Sequence, residues 1–214
     1  MMDTNALILK PLTESNIADF FDFFDNRAFS DGSPYAPCYC NCFQLTHEEV
    51  KNNIGKRSAE LGGGYEGLRL ALRESAEILI RKGILRGYLA YEGNLAIGWC
   101  NANDRQNYIR VGSFNPGKRQ EKDYYITSGE KGKIKSVVCF EIAPEYRGRG
   151  VAKALLQRVC EDAKRDSFER VEVYPQMTGN YSALDFTGPL AMYQNAGFEE
   201  ISLHGKTIVM SKLL

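Results

Sequence analysis

Histidine and tryptophan are nearly absent from this chain: His47, His204 and Trp99 are the whole supply in 214 residues. Nucleophilic catalysis that needs an imidazole to activate a thiol or hydroxyl therefore has two residues to draw on. Net charge is missing too. The 27 basic and 27 acidic residues cancel, which removes any general attraction to nucleic acid or to an anionic membrane and makes a basic site a local matter. No run approaches the ~20 apolar residues of a membrane span, and Met1 to Leu12 lacks the basic-then-apolar pattern of a signal peptide. A soluble, cytoplasmic protein with no nucleic-acid or membrane partner is the expectation. Two nucleotide signatures are also lacking. There is no Gly-x-x-x-x-Gly-Lys-Ser/Thr, no Gly-x-Gly-x-x-Gly follows a first strand, and Gly62-Gly63-Gly64 follows no strand.

What is present is enough chain for one domain, 1–214, able to bury roughly 70% of its unfolded surface. Six cysteines occur, and Cys139 and Cys160 fall in apolar runs where a reduced thiol behaves as a small hydrophobe. Leu7 to Leu9 reads as a strand closed by Pro11. Ile17, Phe20, Phe21 and Phe24 repeat at helical spacing behind Thr13 or Ser15. Residues 30–45 read as an irregular loop, and Thr46 to Gly83 as helices interrupted at the triglycine. From Leu85 the period changes: Leu85–Tyr91 and Leu95–Asn101 form a hairpin over Glu92-Gly93-Asn94. A long polar loop from Asp104 to Lys133 leads to a strand at Ile134–Ala143 and a helix at Gly150–Asp166. A strand at Val171 and Val173 ends at Pro175, a short helix covers Pro189–Ala196, and a last hairpin turns at His204-Gly205-Lys206.

Between the strand at Ile134 and the helix at Gly150 lie two glycines and two arginines, in the order Arg147-Gly148-Arg149-Gly150-Val151-Ala152. Unpaired amides of a first helical turn, the helix dipole and side-chain-free backbone together make an anion site, to which Arg147 and Arg149 add charged donors. The alternative is a surface turn with solvated arginines.

Arg147-x-x-Gly150-x-Ala152 after Pro144-Glu145-Tyr146 resembles the coenzyme-binding motif of the GNAT N-acetyltransferase superfamily. Tyr193-Gln194-Asn195-Ala196-Gly197-Phe198 is similar to its second hallmark, a helix ending in Tyr-x-x-x-Gly-Phe. A narrower likeness to one branch runs through Cys38-Tyr39-Cys40, Gly98-Trp99-Cys100 and Cys139-Phe140. The resemblance implies an α/β (α+β) fold: a mixed, mostly antiparallel sheet with splayed fourth and fifth strands, flanked by helices. Residues 1–84 would form the acceptor side and 85–214 the coenzyme-binding core. It also implies acetyl-CoA as acyl donor, bound through Ile142, Ala143, Arg147, Gly148, Arg149, Gly150, Val151 and Ala152. A backbone amide near Ile142 would polarise the thioester carbonyl, and Tyr193 would protonate the departing thiolate. One departure is Phe186, which stands where an asparagine is common seven residues before the motif tyrosine.

The base is read from the residues themselves. Glu141 is a carboxylate in an apolar strand end beside the loop, suited to accept an amine proton, or else to pair with Arg147 or Arg149. Tyr193 in an amphipathic helix is equally a core residue by type. Cys139 reads as packing. Cys38-x-Cys40-x-Cys42 with His47 departs from Cys-x-x-Cys spacing and lacks a second pair, so no metal is expected. Cys38 and Cys40, with Trp99 and Tyr124 or Tyr125, are instead expected to line the acceptor pocket. The function expected is acetyl transfer to a primary amine of a small molecule or peptide. A CoA-binding sensor without turnover is the alternative. The oligomeric state is open, with a homodimer among the options.

Overall fold

The computed structural model of the chain describes residues 7–111, 125–177 and 186–214. A seven-stranded sheet is built from β1 (Ile8–Pro11), β2 (Gly87–Glu92), β3 (Leu95–Asp104), β4 (Ile134–Ile142), β5 (Arg170–Val173), β6 (Glu199–His204) and β7 (Thr207–Leu213). The spatial order is β1-β2-β3-β4-β5-β7-β6. Only the β4–β5 pair is parallel. The mixed, mostly antiparallel sheet flanked by helices is the architecture the motif resemblance implied.

The helices are α1 (Ile17–Asn26), α2 (His47–Glu49), α3 (Gly55–Glu60), α4 (Gly64–Arg81), α5 (Val151–Arg165) and α6 (Leu190–Asn195), with one π-turn, Val50–Ile54, joining α2 to α3. Thr46 starts this stretch with a capping box. Its hydroxyl accepts from the Glu49 amide at 3.0 Å, and the Glu49 carboxylate accepts from the Thr46 amide at 2.8 Å. The α1 face predicted at Ile17, Phe20, Phe21 and Phe24 is there, and Phe23 is buried as well, its ring edge-on to Phe24 at 5.2 Å.

Apolar side chains pack on both sheet faces. On one, α1, α4 and the 30–45 segment cover Leu89, Trp99, Val138 and Cys139. On the other, α5 and α6 cover Ile97, Val137, Phe140, Val171 and Met210, with Val151, Leu155 and Val159 facing inward. Burial of this kind yields roughly 1.5–3 kcal/mol per large apolar side chain, and it holds the α5 start against the end of β4.

In the middle of the sheet β4 and β5 part. They pair from Ile134↔Arg170 to Val137↔Val173, and there the pairing stops. β4 runs on to Ile142, while Pro175, which has no N–H to give a ladder, follows β5.

Gly87 shows how tight the sheet is beside α1. A Cβ there would stand 2.0 Å from the Cys100 carbonyl oxygen and 2.5 Å from the Trp99 ring. Gly87→Ala is expected to lower unfolding free energy by about 3 kcal/mol, read by urea denaturation. Wild-type stability in the variant would show that the β2–β3 pair has room to relax.

Candidate active site

The loop after β4 is shaped by its glycines. Gly148 and Gly150 have φ of 73° and 88°, the left-handed region that residues with a Cβ avoid. Gly150 caps α5 from that conformation with no side-chain acceptor over the helix start, and no acidic residue occupies the first turn. Arg147 bonds back to the Pro144 carbonyl and Ala154 to the Gly150 carbonyl. The amides of Gly148 to Lys153 between them find no main-chain carbonyl among the described residues. Gly148, Arg149 and Gly150 are exposed, and the Arg149 guanidinium lies 5.4 Å from the Tyr146 ring centre. Open amides, a helix dipole and an exposed arginine form a donor set that fits a phosphate or pyrophosphate.

Arg147, predicted alongside Arg149, is engaged elsewhere. Its Nε donates to the Ile142 carbonyl at 2.9 Å, Nη1 to Asp31 at 2.5 Å and Nη2 to Glu141 at 3.3 Å. The guanidinium thus ties the loop after β4 to the 30–45 segment. Of the two arginines, Arg149 is the one with no ion pair among the described residues.

Glu141 is nearly buried, its side chain 11% exposed. Burial pushes its carboxyl up to about 8, against Arg147, whose charge and hydrogen bond hold it down; Asp31 raises it further and the Ile142 amide lowers it. A carboxyl poised there is uncharged below its pKa and a base above it.

The β4 edge that β5 abandons carries its own chemistry. The Ala143 amide donates to the Ile97 carbonyl on β3, so by alternation the amides of Phe140 and Ile142 point to the opposite, open edge. The Phe140 amide is taken there by the Phe186 carbonyl at 2.6 Å. Phe186 itself packs against Tyr35 and Phe43. Next in sequence, the Thr187 carbonyl accepts the hydroxyl of Tyr193. Tyr193 is fully buried and meets Phe198 edge-on at 5.6 Å. The tyrosine sits between the core and the open edge, with its oxygen toward the latter's neighbouring segment.

Beside this edge a buried polar chain fixes β5. Glu172 accepts from Arg105 at 3.1 Å, Ser128 at 2.5 Å and the Tyr174 hydroxyl at 2.7 Å, and Tyr174 meets Ser136 at 2.8 Å. Residues 105 and 128, both within the loop predicted at 104–133, are pinned to the sheet by this carboxylate. No spacing in the sequence announces that network.

The residues expected to line an acceptor pocket separate. Trp99 is fully enclosed, edge-on to Phe20 at 5.0 Å, and belongs to the core rather than to a pocket wall. Cys40 is buried too, and its sulfur accepts from Asn101 at 3.3 Å. Their burial has two sources: Phe20 of α1 packs on Trp99, and the 30–45 segment packs down on the sheet and carries Cys40 with it. Cys38 stays at the edge of a cleft of about 130 Å³ lined by Phe24, Asp25, Pro37, Tyr65 and Arg69. Tyr124 lies outside the described residues, and Tyr125 is exposed. All six cysteines are free thiols. Burial raises Cys38 well above the usual thiol range and Cys42 to about 12, and a hydrogen bond with Cys40, then burial, does the same for Cys139. Thiols held protonated are poor nucleophiles and poor metal ligands. Among the described residues no group of three or more His, Cys, Asp or Glu is arranged to hold a metal ion.

Residues 64–198 match the model of the acetyltransferase (GNAT) family. The chain belongs to that family. A sequence search of curated proteins returned no match. Among solved structures, the GNAT fold of this chain is similar to the PaiA N-acetyltransferase of Thermoplasma acidophilum in complex with coenzyme A, with a TM-score of 0.52 and 13% identity over 97% of this chain and 99% of that one. The GNAT domain of S. lividans PAT aligns at a TM-score of 0.51 and 15% identity over 96% and 89%. An acetyltransferase of Thermus thermophilus aligns at 0.50 and 15% over 98% and 97%.

The Glu141 carboxyl sets a pH dependence. A carboxyl whose folded pKa lies above its unfolded value favours the folded state while protonated, so its contribution is full below about pH 4.5 and is lost as pH rises through about 8. Glu141→Gln is expected to flatten the fall in unfolding free energy across that window, measured by urea titrations at successive pH values. An unchanged slope would assign the dependence to other groups.

Proposed function

We propose that this GNAT protein transfers the acetyl group of acetyl-CoA to a primary amine of a small molecule or peptide. The observation that carries the reading is the adjacency of three things: a glycine loop with open amides, the β4 edge that β5 leaves, and a buried carboxyl. In this reading the amides of Gly148 to Lys153, with Arg149, hold the coenzyme pyrophosphate, while Ile142 and Ala143 flank the thioester arm. The amides of Phe140 and Ile142, engaged at rest by the Phe186 carbonyl and the Glu141 carboxyl, are the donors a thioester oxygen would take over as it gains negative charge when the amine nitrogen attacks the carbonyl carbon. Glu141, ionised, takes the proton that nitrogen sheds. The carbon–sulfur bond then breaks, and the Tyr193 hydroxyl protonates the thiolate to give free CoA and the amide.

A second reading, a CoA-binding sensor, is favoured by one feature. The consecutive carbonyls of Phe186 and Thr187 already engage the Phe140 amide and the Tyr193 hydroxyl. For turnover, the thioester oxygen must displace the first or use the Ile142 amide, and the tyrosine must turn from the second.

A thiol-release assay with acetyl-CoA against amino acids, polyamines, aminoglycosides and peptides separates the two. Release with at least one acceptor is expected. Tight CoA binding by calorimetry with no release on any acceptor would establish the sensor. Gly150→Glu should abolish CoA binding in a folded protein, because a carboxylate is set against the pyrophosphate and the strained left-handed turn gains a Cβ. Retained affinity would remove the loop from the site. Tyr193→Phe keeps the ring, so if the phenol is the acid kcat should fall roughly 10²-fold with little change in acetyl-CoA affinity. A loss of melting temperature that tracks the loss of rate would instead assign the hydroxyl to holding Thr187.

A further inference from the structure

Asp31 and Arg147 are 116 residues apart in sequence, yet their ion pair joins the 30–45 segment to the loop after β4. Asp31 lies at the surface, 36% exposed, but Arg147 is more covered, and two further N–H groups of its guanidinium go to the Ile142 carbonyl and to Glu141. One guanidinium therefore serves two carboxylates and a strand-end carbonyl, and what Asp31 holds is withheld from Glu141.

We infer that Asp31 is a positioning residue for the acid–base carboxyl, setting through Arg147 both the place of Glu141 and its readiness to take a proton. The inference rests on the reading of Glu141 as the base. The groups that face Glu141 are Arg147 from the loop, the Ile142 amide beyond it, Cys139 on β4, and Asp31 and Cys38 from the 30–45 segment. With both thiols protonated, Arg147 and Asp31 are the charges among them, and they act in opposite directions. The arginine favours the carboxylate; the aspartate, by its own negative charge and by sharing the arginine, favours the protonated form. A base that ionises too readily is weak, and one that never ionises is inert, so the balance between these two charges sets its strength at neutral pH.

The sign of each change follows. Removing the Asp31 charge leaves Arg147 to Glu141 alone and lowers the Glu141 pKa; removing the arginine raises it. The test is a ¹³C-carboxyl NMR titration of glutamate-labelled protein, with the Glu141 signal assigned by its loss in Glu141→Gln. Wild type should titrate at about 8. Asp31→Asn should titrate lower by about one pH unit, Arg147→Gln higher, and Asp31→Glu close to wild type. Melting temperatures confirm that each variant is folded. A Glu141 signal that stays put or moves upward in folded Asp31→Asn overturns this role and leaves the base reading standing. Wild-type thiol release by Glu141→Gln, with the acceptor that works best in the panel, overturns the base reading and the role of Asp31 with it.

Discussion

Five residues of β4, Val138 to Ile142, run on after β5 has stopped pairing at Val173, and among the described residues no further strand takes up that edge, so its backbone groups have to be satisfied in another way. Each buried amide left without an acceptor forfeits roughly 1–3 kcal/mol. The fold meets this cost in two ways. It covers the Phe140 amide with a carbonyl from a segment 46 residues onward, Phe186, and it fixes the base of the fork with the Glu172 network so that the parting starts at one place. A guest that brings its own carbonyl oxygens to such an edge replaces a hydrogen bond already made. Binding there is an exchange, and its free energy depends on how well the Phe186 carbonyl is held by the contacts of its ring with Tyr35 and Phe43.

Burial gives the charged cluster at the end of β4 its character. Glu141 is driven toward its neutral form by the apolar packing around it, and a single shared guanidinium returns it part of the way. Two arginines on one carboxylate fix the charge, as Arg158 and Arg165 do for Asp162 on α5. The difference is visible in the directions of the two pKa values: Asp162 lies below the ordinary carboxylate range in spite of its burial, and Glu141 lies above it. One arrangement holds the carboxylate charged; the other favours the protonated carboxyl.

Much of the fold was legible because it follows from local period and punctuation. The strands at Leu95 and Ile134 and the helices at Ile17 and Gly150 are written in runs of apolar residues at two- or three-to-four-residue spacing, and the observed boundaries differ by a few residues at most. The glycine–arginine loop was legible for the same reason, since strand, turn and helix are contiguous in sequence. What failed to show is all non-local. Trp99 looked like a pocket residue by type, but whether the 30–45 segment lies over it or beside it depends on packing. Asp31 sits in an unpatterned loop, and nothing in its neighbours names Arg147 as its partner. Phe186 contributes through its carbonyl, which every residue has, so no residue type could have signalled it.

The start of α5 is the part of the site whose sequence costs the isolated protein stability. A serine, threonine, aspartate or asparagine at the cap position would satisfy an open amide and add about 1 kcal/mol, and an acidic residue in the first turn would add several tenths more. The chain has neither. It has Gly150 at the cap, Gly148 two residues before, and Val151, Ala152 and Lys153 in the turn. Glycine at both left-handed positions also gives the unfolded chain more freedom to lose on folding. A helix start with no side-chain cap, no acid in its first turn and glycine at its cap is poorly built as a structural terminus, yet it is well built to receive an anion from outside, since any internal cap would compete for the same amides.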